Sequence, residues 1–317
     1  MPEKRDKKDL MLMKLFALGS TQDLPAMRDH VQELISLLGN SRATAKDLTT
    51  AILKDYGLTT KILQVVNSAY YMRSVPVTTI SRAVTVIGYT ALRDLAVAIA
   101  LFEEFIKTGK ETDAIVEQMT KNFISAIQSR RLAKEKKYLL APEEAFICTL
   151  LHQLGKMVVL VYLPELYRAV ARQIDKGFSE DRAAEQVLAG MTFNQVGREI
   201  ASYWNFSDQL VECMVADPPK PEGTRDKLGM LQNLAAFNNK LTETLYSGTD
   251  LDLDELLYRY GGILGIDKEE AVELVHRSVA EAEDMSDPIR RGLYKLKVRE
   301  KLITVQKGPD ATWRRIT

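Results

Sequence analysis

The chain has 317 residues, 46% hydrophobic and 27% charged, with 43 basic side chains against 43 acidic ones. This is the make-up of a globular protein with ample core, and it carries no global field that would recruit nucleic acid or an anionic membrane. Two cysteines, Cys148 and Cys213, stand in apolar segments without CxxC spacing and read as buried hydrophobes of a reducing compartment.

The opening stretch, MPEKRDKKDL, is mixed in charge, and the apolar run at 10–18 is interrupted by Lys14. Neither a signal peptide nor a membrane span is expected, and the default location is cytoplasmic. Residues 1–19 read as a lead-in with one short helix. Asp23 then caps a helix whose stripe is Val31, Leu34, Ile35 and Leu38. Thr44 and Asp47 form a capping box for a helix through Leu48, Ile52 and Leu53. The next helix buries Leu58, Ile62, Leu63, Val65 and Val66 and runs into Asn67-Ser68-Ala69-Tyr70-Tyr71. The polar members of that cluster read as tethers for the loop 72–79 rather than as ligand groups.

Residues 79–105 read as one long buried helix, with Gly88 admitting a close neighbour. Another covers 113–137, and Arg130, Arg131, Lys134, Lys136 and Lys137 read as a solvated last turn favoured by the helix dipole. Pro142-Glu143-Glu144 opens the next helix. It continues as AFICTLLHQLGKMVVLVYL, 145–163, which is apolar nearly all the way round and so belongs between other helices. Its polar interruption is His152-Gln153, followed by Gly155 and Lys156. A histidine at such a place needs a partner. It is either half of a metal site, beside carboxylates from neighbouring helices, or a neutral ring hydrogen-bonded in the core.

Pro164 restarts a helix that ends by Gly177, and Ser179 opens one reaching Leu188. Thr192 and Gln195 make a full capping box for a helix through Val196, Ile200 and Trp204, and Ser207 starts another. The segment 217–223, DPPKPEG, is the clearest boundary. Beyond it come helices at 225–246, 253–260 (with Gly261-Gly262 as C-cap) and 267–282 (capped by Asp267 and Glu270). A basic helix begins at Asp287-Pro288, and 307–317 form a loose tail. No segment alternates with the period of a strand, so the expected class is all-α.

Several of these residues, taken in order, resemble the HDOD family. They are Asp55, Leu58, Thr59 and Leu63, then Asn67-Ser68-Ala69-Tyr70, Ile80, Ala83, Ile87-Gly88 and Leu92. The match continues with Leu24-Pro25, the run Leu150 to Lys156 that includes Gly155, Val196-Gly197 and Trp204. The resemblance covers about 20–220 and implies a multi-helix bundle like that of HD-domain metal-dependent phosphohydrolases. On this reading 20–222 is the HDOD domain and 223–306 a helical C-terminal extension.

The resemblance also implies a degenerate site. Where the family often has His-Asp, this chain has His152-Gln153; family histidines near Ile124, near Phe193 and at 215–218 are missing. His30 and His276 match no ligand position. A catalytic ion needs several imidazoles and at least one carboxylate, and one imidazole beside a neutral amide cannot hold it. The expectation is therefore a non-enzymatic regulatory module of bacterial signal transduction, without metal or cofactor, whose partner is another signalling protein. An alternative is sensing of a nucleotide or cyclic dinucleotide, with Arg73, Arg82 and Lys156 as anion contacts. Residual phosphohydrolase activity is a further alternative, and nucleic-acid binding by the basic last helix has no accompanying motif.

Overall fold

The computed structural model describes residues 33–37, 40, 42–54, 56–66, 77–109, 112–136, 138–204, 206–223, 225–246 and 253–283. Asp55, Asn67, Ser68, Ala69 and Arg73 lie outside the described residues, as do His30, the start of the Asp23 helix, and the basic helix after Asp287. Among the described residues every bounded element is a helix and no strand occurs.

The described residues fall into two compact units. One takes those up to Val66, those between Val75 and Ile115, and Leu151–Val215; the other takes Val116–Leu150 and those from Ala216 onward.

In the first unit, α1 (Ala45–Leu53) begins at the Thr44–Asp47 capping box, with both reciprocal bonds made. α2 (Tyr56–Val66) packs on α3 (Ile80–Ile87) and α4 (Tyr89–Thr108). The single helix expected over 79–105 is two. Gly88 has φ 85, a left-handed angle that no helix interior tolerates, and it stops α3 and starts α4. A Cβ at Gly88 would touch nothing, so the residue serves the chain's turn and not a close neighbour.

The same correction applies to 145–163. α6 (Pro142–Leu151) ends in a turn at His152-Gln153, and α7 (Leu154–Tyr162) restarts from Gln153. By length and composition Pro142–Tyr162 could cross a membrane, but 89% of its apolar window is buried inside the protein, as in a core helix. α8 (Pro164–Ile174), α9 (Glu180–Val187), α10 (Phe193–Tyr203) and α11 (Asp208–Cys213) complete this unit. The Thr192–Gln195 capping box that opens α10 is present as read. α7 packs chiefly on α10 and also touches α4 and α8.

In the second unit, most of α5 (Thr112–Glu135) joins α6, α12 (Lys227–Tyr246), α13 (Leu253–Leu264) and α14 (Lys268–Glu283). α13 runs through Gly261-Gly262, which are therefore not its cap; Gly265, φ 58, follows its end and provides the left-handed residue. Asp267 and Glu270 cap α14 reciprocally, as expected.

The interior of this unit is unusually polar. Thr120, Asn122, Ser125, Gln128, Ser129 and Arg130 of α5 are all fully buried. Thr149 Oγ1 donates to Ser129 Oγ at 2.7 Å, Asn238 Nδ2 donates to the same oxygen at 2.8 Å, and Ser125 Oγ donates to Thr242 Oγ1 at 2.8 Å. Arg130, read from sequence as part of a solvated helix end, is 0% exposed. Its guanidinium pairs with Glu281 and lies 5.1 Å from the centre of the Phe146 ring. A partner 151 residues away, invisible to local pattern, makes the burial tolerable.

Candidate functional site

Two glycines determine how the His152 turn is held. Gly155, in the first turn of α7, and Gly197, in α10, pass backbone against backbone. A Cβ on Gly155 would overlap the Phe193 carbonyl and stand 3.0 Å from Gly197 Cα, and one on Gly197 would stand 2.9 Å from Gly155 N. Only hydrogen at both positions permits this approach. The crossing brings the start of α10 to the break between α6 and α7.

Asn194, the second residue of α10, is consequently placed against His152. Its Nδ2 donates to the His152 carbonyl at 3.2 Å and lies 3.5 Å from both ring nitrogens. His152 is 2% exposed, and its Nε2 is 3.0 Å from the Val215 carbonyl oxygen. A carbonyl can only accept, so Nε2 carries a proton and donates it to Val215. The sequence reading looked for the lost family histidine at Phe193. Phe193 instead packs apolar, its ring 6.2 Å from that of Tyr167, and Asn194 is the residue that faces His152. One helical position separates the two, and only the crossing of α7 and α10 tells them apart.

The donor set does not suit a catalytic ion. The Asn194 amide and the Val215 main-chain carbonyl, both neutral, lie against His152, and Gln153, next in the chain, is an amide. A divalent ion in so buried a place needs anionic ligands. Among the described residues no group of three or more His, Cys, Asp or Glu is placed to hold a metal. Gln153 Oε1 is buried without a hydrogen-bond partner among the described residues.

The other sequence candidates separate. Lys156 is 6% exposed and its Nζ is 2.7 Å from Glu180, so it is a buried ion-pair member. Arg82 is exposed in the first turn of α3, where its amide N–H donates to Thr79. Trp204, 8% exposed, caps α10, with its N–H donating to the Ile200 carbonyl. His276 stands in α14, in the other unit.

Elsewhere in the first unit, Asp94 is buried at 3% exposure between Arg93 and Ser207. Burial raises its carboxyl above the ordinary range, outweighing the charge and hydrogen bond of Arg93 and the hydrogen bond of Ser207. Burial likewise raises the Tyr162 phenol, helped by the charge of Glu104.

An uncharacterized protein of Treponema pallidum is 20% identical over 217 residues, which is 68% of this chain and 42% of that protein, so the chain spans less than half of that relative's length. A crystal structure from Shewanella amazonensis, named as a candidate phosphohydrolase, superposes with a TM-score of 0.60 at 22% identity, covering 92% of this chain and 97% of that one. A candidate signal transduction protein from Marinobacter aquaeolei gives 0.54 at 19% identity, covering 93% and 66% respectively. At these identities the two structures share the fold. The HDOD domain model matches residues 24–217, more than half of the sequence, and with it the chain belongs to the HDOD family.

Proposed function

We propose that the protein is a non-catalytic HDOD module that acts in bacterial signal transduction by presenting its helical surface to another protein. The observation that carries this reading is the state of His152. Its Nε2–H is given to the Val215 carbonyl, the Asn194 amide lies against its ring, and Gln153, next in the chain, is an amide where a metal site needs an acid. A residue so engaged stabilises a helix break; it neither binds an activating ion nor shuttles a proton. The label of the Marinobacter structure agrees with a signalling role and that of the Shewanella structure with a hydrolytic ancestry.

Of the contacts named for the anion-sensing alternative, Lys156 is paired with Glu180, Arg82 is exposed in α3, and Arg73 lies outside the described residues. The test of the main reading has two arms. Purified full chain, incubated with manganese or iron, is assayed for bound metal and for hydrolysis of a phosphodiester. Neither stoichiometric metal nor turnover above that of the His152→Ala variant is expected; either would overturn the reading. In parallel, proteins cross-linked to the chain in its native cell are compared with those cross-linked to His152→Ala at a temperature where both fold. The same partner is expected for both.

A further inference from the structure

The strongest unassigned constellation lies in the second unit, where the Pro-rich segment after Val215 meets α12 and α13. Lys240 of α12 and Arg259 of α13 converge on one carboxylate oxygen, Asp217 Oδ1, with the Arg259 Nη1 contact at 2.8 Å. Among the described residues neither cation has another carboxylate within ion-pair distance, so the cluster holds two positive charges against one negative.

The cations are fixed independently of the carboxylate. Lys240 Nζ is 5.8 Å and Arg259 Cζ 5.2 Å from the centre of the Tyr260 ring. That ring is itself fully buried, 5.8 Å from Phe237. An aromatic face held this rigidly keeps both charges in place by cation–π attraction.

The carboxylate, by contrast, is the replaceable member. Asp217 is 54% exposed and belongs to a segment, 214–223, that forms no helix. That segment has its own anchor: the Pro219 carbonyl accepts from Asn233 Nδ2 at 2.9 Å. The Asp217 side chain can therefore swing out while the main chain stays.

We propose that Lys240 and Arg259 form a receptor for a phosphoryl dianion, and that Asp217 is the resident group such a dianion displaces. One shared carboxylate oxygen leaves a positive charge uncompensated and gives the Arg259 fork a single acceptor. A phosphoryl group supplies two charges and separate oxygens for the ammonium and for a bidentate guanidinium. The site goes beyond the contact reading of the protein and does not depend on it, because it shares no residue with the His152 turn.

Inorganic phosphate titrated into the full chain at low ionic strength, followed by phosphorus NMR line width and by calorimetry, tests this. Asp217→Asn should bind phosphate roughly three- to tenfold more tightly than the wild type, the size expected when two exposed ion pairs no longer have to be broken first. K240M and R259M, alone or combined with D217N, should lose binding, while K240R should keep it; circular dichroism melting confirms that each variant folds. Phosphoserine peptide and AMP, compared with phosphate itself, then distinguish a modified protein from a nucleotide as the source of the group. Equal affinity of wild type and D217N, or binding that survives loss of either cation, would overturn the proposal.

Discussion

Arg130 in α5 and Glu281 in α14 form an ion pair in which neither side chain reaches water. Glu281 also takes Arg131, at 2.9 Å from Nη2, so one carboxylate of the last described helix answers two consecutive arginines. Removing one member of such a pair strands the other in a low-dielectric interior. Glu281→Ala should therefore cost about 3–5 kcal/mol, while the double replacement Arg130→Met with Glu281→Leu should recover most of that loss. Urea unfolding of the three chains measures the difference. A single variant no worse than the double would show that water reaches the pair.

Ser129 carries a comparable load with a smaller group. Its oxygen accepts from Thr149 and from Asn238, and its proton goes to the Leu234 carbonyl at 3.3 Å. Alanine removes a single oxygen that two buried donors use; the lone Thr149 proton can turn to the Ala145 carbonyl 2.8 Å away, and Asn238 keeps one of its two amide bonds, to Leu234. A loss of about 1–3 kcal/mol is expected. Threonine at 129 should restore part of it, since the hydroxyl returns; the check is again chemical denaturation.

Two carboxylates give stability opposite dependences on pH. The Asp94 carboxyl is raised by burial, so between its unfolded and folded values the native state binds the extra proton, and its stabilisation is lost as pH rises through the folded value. Asp94→Asn should thus match or exceed the wild type at neutral pH, with the gap closing on acidification. At Asp217 burial acts upward, but the hydrogen bonds and charges of Lys240 and Arg259 prevail and lower the carboxyl. Its contribution is present above the unfolded value and lost as pH falls, so Asp217→Asn should be the less stable chain at neutral pH and converge with the wild type in acid. Melting each pair of chains across pH 3 to 7 reads both signs.

Helix starts were legible where their signals are local. The Thr44–Asp47 and Thr192–Gln195 boxes and the Asp267–Glu270 pair each lie within four residues, and each forms as read. What the sequence hid depends on partners far along the chain. The α5 stretch with Gln118, Asn122, Ser125, Gln128 and Ser129 has the polarity of a surface helix, and it is buried because Thr149, Asn238, Thr242 and Glu281 arrive from other helices to satisfy it. The His152 site was half legible. The turn residues His152 and Gln153 could be singled out from sequence, whereas the placement of Asn194 required knowing which face of α10 the Gly155 crossing presents.

The two glycines nearest this question, Gly88 and Gly155, should respond to alanine for different reasons. At Gly88 a Cβ meets no atom, and the cost is that of a backbone region (φ 85, ψ 159) open essentially to glycine alone, about 1–3 kcal/mol. Asparagine, whose tolerance is for the αL region with ψ near +45° and not for this one, should be no milder there. At Gly155 the backbone angle is ordinary but the Cβ collides with the Phe193 carbonyl and the Gly197 backbone, which cannot swing aside as a side chain could. α7 and α10 must separate, at an overpacking cost of about 1–3 kcal/mol or more, and asparagine should be worse than alanine. Separation also draws Asn194 away from His152, so the imidazole resonances of His152 should shift in Gly155→Ala and stay in place in Gly88→Ala. Unchanged His152 resonances in Gly155→Ala would mean that the crossing does not position the histidine.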